Sequence, residues 1–530
     1  MTGRLAVDFG TSNTVLAVWD ETRKEGVPLH IPDFARLYEQ GGEQISVIPS
    51  LVHYAVDGKR WIGNQVLQRS LYPSERTFRW MKRYISHRSQ IQVTVDGRQI
   101  SPSVAGQDFL STVLLFAAQE INLKEEEIAL SVPVESYEHY EDWLSSVAEA
   151  AGINRYRLID EPSAAALGYG ASIQPGQAYL IFDFGGGTLH TSVVLMEPQQ
   201  NLTAGGRRCR VLGKAGRDLG GTHIDQWIFE EVLRLNGRHD SEEEIRRISN
   251  ALLVECEQIK EKLSFHELSS LSVMNPATGS ILEAELTRSK FEDLLERHNL
   301  FSEIDHTIRS AINSARERGY DLDAIQQVMM VGGSSQIPSV QRAVRQIFDK
   351  DRVKFDRPLD AIARGAAAFV SGVDFYDHIQ HDYGIRFVNP QKKEYDYRII
   401  VQRGTPYPTP EPVARLSVKA AYEGQRQMGI AIFEMGQQHA QDRETMELVF
   451  DPGGAARIVP LTPNEQEQRS LFWMNEHNPT FLIAEPAAQQ GEPRFEVEFR
   501  IDANKRLTLT ARDLKTGTLT HRDYPVVKLT

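Results

Sequence analysis

Cysteine is nearly absent: only Cys209 and Cys256 occur in 530 residues, in unrelated contexts and without a CxxC pair. That excludes a disulfide framework and a cysteine-rich metal site, and leaves both as small core residues. Long apolar runs are lacking as well. No stretch approaches the roughly 20 apolar residues that span a bilayer, and Met1 to Arg4 lead straight into an apolar strand pattern without a signal-peptide core. The expectation is a cytoplasmic protein. Basic residues are outnumbered, 59 Lys and Arg against 72 Asp and Glu, for a formal charge of −13. That field repels nucleic acid and anionic membrane, so neither is an expected partner. What is present is 41% hydrophobic and 25% charged residues, the make-up of a globular chain long enough for three or more domain-sized units.

The first pattern along the chain is Leu5-Ala6-Val7-Asp8-Phe9, a turn Gly10-Thr11-Ser12-Asn13, then Thr14-Val15-Leu16-Ala17-Val18-Trp19. Two apolar strands around small residues read as a hairpin. The unit recurs at Tyr179 to Phe184, Gly185-Gly186-Gly187-Thr188, and His190 to Leu195. Two copies far apart predict a duplicated lobe, the copies facing each other. Glycine-rich turns let backbone N–H groups approach a phosphate chain, and an Asp ending the incoming strand places a carboxylate beside it, suited to Mg²⁺ through the ion's retained waters. Asp8 and Asp183 are therefore metal candidates. The alternative is a pair of ordinary β-turns, where Asp and small residues are common; repetition of the whole unit weighs against it.

Between and after the hairpins, strands alternate with amphipathic helices predicted over Asp108 to Asn122, Glu135 to Ala151, Thr222 to Leu235, Phe291 to Arg318, Ser339 to Phe348 and Leu359 to Val370. The longest is predicted from Ser241 to Ser264, with a Ser241/Glu244 capping box and an apolar stripe of Ile245, Ile248, Leu252, Ile259 and Leu263. After about Ser371 the texture changes to short alternating runs punctuated by turns, as in Gly404-Thr405-Pro406-Tyr407-Pro408. The strongest strand there runs from Phe495 to Asp502 with a period of two, followed by Ala503-Asn504-Lys505 and Leu507 to Ala511. The division predicted is an α/β region over 1–370, a linker over 371–382 and an all-β region over 383–530.

Three further motifs fall at useful positions. Gly220-Gly221 opens a helix, where free N–H groups favour an anion, though a plain helix entry reads the same way. Gly332-Gly333-Ser334 sits between an apolar strand and a helix, with backbone that can lie flat on a base or phosphate. Glu257, Lys260 and Ser264 share one face of the long helix; the plainer reading of that face is a solvated i,i+3 ion pair.

With Val7 to Asn13, Ile159-Asp160-Glu161-Pro162-Ser163-Ala164-Ala165-Ala166, Phe182 to Thr188, Leu219-Gly220-Gly221 and Val331 to Ser334 in view, the chain resembles the actin-like ATPase superfamily. Within it, the chain resembles the seventy-kilodalton heat-shock (Hsp70) chaperone family. The all-β region joins in, since Phe495 to Gly517, with Ile501-Asp502-Ala503-Asn504 and Ala511-Arg512-Asp513-Leu514-Lys515-Thr516-Gly517, is similar to the last strands of that family's peptide-binding β-sandwich. The resemblance implies a two-lobed α/β ATPase domain, with ribonuclease-H-like duplicated lobes, followed by an all-β sandwich. It implies ATP or ADP with Mg²⁺ as cofactors, and extended apolar peptide segments with co-chaperones as partners. By residue, it implies that Asp8 and Asp183 organise the metal and attacking water. Gly10, Thr11, Ser12, Asn13, Gly185, Gly186, Gly187 and Thr188 hold phosphates, with Thr188 also catalytic, and Glu161 stands near the water. Gly220, Gly221, Glu257, Lys260, Ser264, Gly332, Gly333 and Ser334 surround the nucleoside, while Pro133 relays nucleotide state.

The chain departs from that family at three places. Leu67 stands where the family has a catalytic lysine; no lysine is near it in sequence, and Arg69 is the substitute offered. Loss of a cation at developing phosphate charge removes several kilocalories per mole of transition-state stabilisation. His190 replaces an acidic cation-site residue, and Thr530 ends the sequence before any helical lid, which predicts fast peptide exchange. The leading expectation is an ATP-dependent chaperone whose nucleotide site controls peptide affinity. A second is an adaptor that binds ATP without turnover and docks a fixed partner through the β region. Filament formation and sugar phosphorylation leave Asp382 to Thr530 unexplained.

Overall fold

The computed structural model describes residues 4–40, 42–120, 127–133, 138–153, 155–170, 174, 176–196, 209–371, 379, 381–388, 395–405, 407, 409–435, 446–450, 456–460, 471–476, 479–502 and 506–529. The chain separates into two compact units, one of Met1–Pro133, Trp143–Tyr376 and Thr445–Pro460, the other of Val134–Asp142, Asp377–Glu444 and Leu461–Thr530.

In the first unit one strand arrangement occurs twice. Leu5–Phe9 runs antiparallel to Asn13–Asp20 and parallel to Ile128–Val132, which in turn pairs parallel with Tyr156–Asp160. Ala178–Phe184 likewise runs antiparallel to Leu189–Met196 and parallel to Ile325–Val331, which is followed by Val353–Lys354. The central parallel strands are almost wholly apolar because both faces are covered; all of Ile128–Val132 is buried. The hairpins read from sequence are thus the paired starts of two equivalent sheets.

Two short helices join the sheets. Glu161–Gly168 and Ala361–Val370 are rich in alanine and buried nearly throughout, and their core includes Ala6 and Val15 of one sheet with Ile181 and Met329 of the other. They touch backbone to backbone. A β-carbon placed on Gly168 would lie 1.8 Å from the Ala361 carbonyl oxygen, and one on Gly365 would lie 1.7 Å from that of Ala164. Only glycine permits this approach.

Several helix boundaries differ from the sequence reading. The helix expected at Asp108 begins at Pro102, a residue that suits the first turn because its missing N–H is not needed there. The helix expected over Phe291 to Arg318 is two, Arg288–Arg297 and Leu300–Arg316, broken where Asn299 takes a left-handed conformation at φ 58°. The long helix is Glu243–Phe265 with its stripe buried as expected, but the Ser241/Glu244 capping box does not form. Glu244 instead pairs with Arg238, and the Ser241 hydroxyl with His239 at 2.9 Å. Cys256 is buried on this helix; the Cys209 side chain lies outside the described residues.

The second unit is built from antiparallel strands. One four-stranded sheet orders Tyr395–Val401, Asp382–Val388, Ile432–Met435 and Leu471–Trp473; another orders Ala414–Lys419, Pro493–Ile501, Arg506–Asp513 and Leu519–Lys528. A single core draws Tyr383, Ile385 and Ile432 from the first sheet and Phe495, Val497, Phe499, Leu507 and Leu509 from the second. The alternation at Phe495 to Ile501 sends each apolar side chain into that core. Arg494 and Asp513 form a buried ion pair of 2.7 Å beside it. Residues 372–378 and 380 of the expected linker, the 503–505 turn, and Pro406 and Pro408 lie outside the described residues.

Candidate nucleotide site

The two hairpin turns meet. A β-carbon on Gly186 would lie 2.4 Å from Ser12 Oγ, and one on Gly187 would lie 3.0 Å from Thr11 Oγ1, so the turns face each other at glycine-only spacing. Each is braced differently. In the first, the Ser50 hydroxyl donates to the Gly10 carbonyl at 2.8 Å and pairs with Thr14 at 2.9 Å, while the Ser50 N–H donates to the Ser12 carbonyl at 2.9 Å. In the second, the Gly221 and Thr222 N–H groups donate to the carbonyls of Gly185 and Gly186 at 3.0 and 2.8 Å, and the Ser334 hydroxyl donates to Gly185 at 2.9 Å. This corrects the reading of Gly220-Gly221 as a helix start with free donors. Its first N–H groups clamp the second turn, and the Gly220 N–H goes to His223 Nδ1 at 3.1 Å.

Beneath the turns lies a cluster of carboxylates. Asp8 and Asp183 end equivalent strands, and Glu161 opens the helix that follows Tyr156–Asp160, whose Asp160 caps it by accepting from the Ser163 N–H at 2.8 Å. Burial pushes the Asp8 carboxyl up to about 6, against the pull of Lys82 and a hydrogen bond from Ser131 at 2.7 Å. Asp183 is pushed further, to about 8, by burial and by the negative charges of Glu161 and Asp8. Among the described residues Lys82 is the cation whose charge acts on both carboxylates, and its ammonium is bonded to Glu161 with both residues buried.

A lysine absent from the sequence around Leu67 does reach these carboxylates in space. Leu67 is half-buried and uncharged, as its sequence says, but Lys82 arrives from another element, the short helix Met81–Ser86. Arg69 is not the substitute: it is exposed, stacked 3.8 Å over the Trp61 ring, with its guanidinium donating to the Gln65 carbonyl. A sequence signal for Lys82 did exist. Lys82-Arg83 is flanked by Trp80, Met81, Tyr84 and Ile85, all buried, and two adjacent cations in so apolar a segment require anionic partners. Arg83 finds its own in Asp218 at 3.1 Å, with Thr222 at 3.2 Å.

Most of the remaining residues lie around the second sheet and the helices beside it. Lys260 pairs with Asp225 at 2.7 Å and donates to the Gly221 carbonyl at 3.1 Å, rather than forming the i,i+3 pair with Glu257. Glu257 accepts from the Tyr72 hydroxyl, and the Ser264 hydroxyl bonds back to the Lys260 carbonyl at 3.1 Å. Burial raises Asp225 to about 7 despite Lys260. Gly332, at φ 84°, needs to be glycine twice over: a β-carbon would lie 2.4 Å from the Phe184 carbonyl and 2.7 Å from Asp183 Oδ1. Gly333 and Ser334 begin the short helical turn that follows. Thr188 accepts from the Gly185 N–H through its carbonyl at 3.0 Å, closing the second turn. His190 is half-buried directly across the strand pair from Asp183, and Pro133 follows Ser131 by two residues.

The donor set fits a phosphate chain with a hard divalent cation. The glycine cradle leaves room only for backbone approach, and the carboxylates are acceptors lacking enough positive charge. Among the described residues no group of three His, Cys, Asp or Glu converges to hold a metal unaided, so waters and phosphate oxygens would complete its shell. Also among the described residues, no helix is long and apolar enough to cross a membrane.

Comparison with known proteins finds relatives over most of the chain. The Hsp70 protein family model matches residues 86–447. A chaperone protein dnaK from Guillardia theta is 26% identical over 552 residues, covering 97% of this chain and 77% of that protein.

Proposed function

The chain belongs to the Hsp70 family, as an Hsp70-type chaperone at that level, and from that premise we propose that it binds and hydrolyses ATP between its paired turns. Hydrolysis is coupled to the capture of extended apolar peptide segments, with co-chaperones as further partners. The observation that carries this reading is the meeting of the Gly10–Asn13 and Gly185–Thr188 turns over Asp8, Asp183, Glu161 and Lys82. We assign residues 1–370 to a two-lobed, actin-like nucleotide domain, 371–382 to a linker and 383–530 to a β-sandwich that receives peptide.

Backbone N–H groups of the two turns, with the hydroxyls of Thr11, Ser12 and Thr188, hold the phosphates. Glu257, Lys260 and Ser264 hold ribose and base against Gly332, Gly333 and Ser334, with Gly220 and Gly221 at the base of that wall. Asp8 and Asp183 orient the water shell of Mg²⁺, which when bound neutralises charge across the phosphates. Asp183, at the end of its strand beside that cation, accepts a hydrogen bond from the attacking water and takes its proton. The water oxygen bonds to the γ-phosphorus as the bond from that phosphorus to the oxygen of ADP breaks, leaving ADP and phosphate.

Lys82 beside Glu161 weighs against the part of the adaptor reading that rests on Leu67. The test is a single-turnover reaction with γ-labelled ATP, with and without an unfolded apolar peptide, using Asp183→Ala as the silent control. Label should leave as phosphate, faster with peptide. Label that stays on ATP under both conditions sinks the hydrolytic reading.

A further inference from the structure

Lys82 sits in an unusual electrostatic position. Three buried or enclosed carboxylates, Asp8, Glu161 and Asp183, act on one another, and a single ammonium acts on all of them. The lysine is 9% exposed and its partner Glu161 is 6% exposed, so neither charge is satisfied by bulk water. Its place is fixed from both sides. The adjoining Arg83 is tied to Asp218 and Thr222, at the entry to the helix whose first N–H groups clamp the Gly185–Thr188 turn. The short helix Met81–Ser86 thus hands one cation to the carboxylate cluster and a second to the support of the phosphate turn.

We propose that Lys82 is the catalytic cation of this site: paired with Glu161 in the free cleft, it bonds the terminal phosphate of ATP and serves in place of a charge at Leu67. The inference rests on the nucleotide reading above and extends it. A flexible ammonium with three donors can keep one bond to Glu161 while donating to a phosphate oxygen, and Glu161 is then its positioning residue. The charge is useful only where the γ-phosphate is. Contact with that group strengthens as charge shifts to its oxygens during P–O cleavage, so Lys82 acts on ATP affinity and on turnover but not on ADP.

The test compares the full chain with Lys82→Met, Lys82→Arg and the double variant Lys82→Met/Glu161→Gln, which removes both members of the pair and so avoids a stranded buried carboxylate. Calorimetry measures affinity for ADP and for the non-hydrolysable imido analogue of ATP, and single-turnover assays measure phosphate release. In Lys82→Met and in the double variant, preference for the analogue over ADP should shrink about tenfold, the scale of one charge-assisted bond, and phosphate release should fall about 100-fold. Lys82→Arg should retain most of the preference. Equal loss of both nucleotides would mean that Lys82 only neutralises Glu161, and an unchanged ratio and rate would show no contact at all; either overturns the proposal. If the unmodified chain binds neither nucleotide, the pocket reading itself fails, a result distinct from failure of the variants alone.

Discussion

Asp8 and Asp183 end equivalent strands of equivalent sheets, yet they sit in different surroundings. Asp8 accepts a hydrogen bond from Ser131, and its turn hangs on one side chain, Ser50. Asp183 draws no favourable shift from a hydrogen bond and feels two like charges, while its turn is clamped by a helix start and by Ser334. Duplication supplied two copies of one turn, and the residues around each copy drove the carboxyls apart in proton affinity. Such divergence is how paired acids take separate roles. Asp8 is the carboxylate held by a hydrogen bond from Ser131, and Asp183 the one raised further by its neighbours' charge.

Replacing each carboxylate tests that division most severely. Asp183→Asn should lower single-turnover phosphate release about 10²- to 10³-fold, the loss typical of a group acting on the reacting centre, with Asp8→Asn costing less. Equal losses would erase the distinction. Within the second turn, Gly186→Ala should weaken nucleotide binding about tenfold or more, because its methyl meets Ser12 Oγ, whereas Gly185→Ala meets nothing nearer than 3.9 Å. Calorimetry on both variants, and on Gly186→Ala/Ser12→Gly, would show whether the two turns must touch.

The next effect is one of pH. Both carboxyls have folded-state values above the ordinary 3.8, about 6 for Asp8 and about 8 for Asp183, so the folded chain holds protons that the unfolded chain releases. Their contribution to nucleotide-free stability is therefore fully favourable below pH 4 and is lost as pH rises from there through 6 and toward 8. Asp183→Asn removes the larger share. It should melt above the parent at pH 8, by about 2–4 °C for each kcal/mol relieved, with the gap narrowing as pH falls and closing below about pH 4. A gap independent of pH would contradict the assignment. Smallest are the braces: Ser50→Ala and Ser334→Ala each lose a bond of about 1 kcal/mol. Nucleotide affinity should suffer more in Ser50→Ala, since Gly221 and Thr222 still hold the second turn.

Much of this architecture is legible in the chain. The hairpins announce themselves because strand periodicity, small turn residues and a terminal Asp coincide twice, and the buried face of Pro493–Ile501 follows from a period of two. Local patterns mislead where tertiary partners intervene. Ser241 and Glu244 have the spacing of a capping box, but Arg238 takes the Glu244 carboxylate. Gly220-Gly221 has the form of an anion site, but the Gly221 and Thr222 N–H groups face carbonyls 36 residues upstream and the Gly220 N–H faces His223. Lys82 is hidden for a related reason. It lies 79 residues from Glu161, on a six-residue helix, and no local spacing links the two. An expectation built by aligning one position to another sees the missing charge at Leu67 and not the charge delivered from elsewhere.

The crossing of Glu161–Gly168 with Ala361–Val370 carries a mechanical consequence. Where helices interlock through side chains, turning one on the other means lifting each knob from its socket. Here Gly168 and Gly365 bring backbone against backbone, so at those two positions no side chain stands between the helices, and a single added methyl at either glycine would act as a wedge in the core the two sheets share.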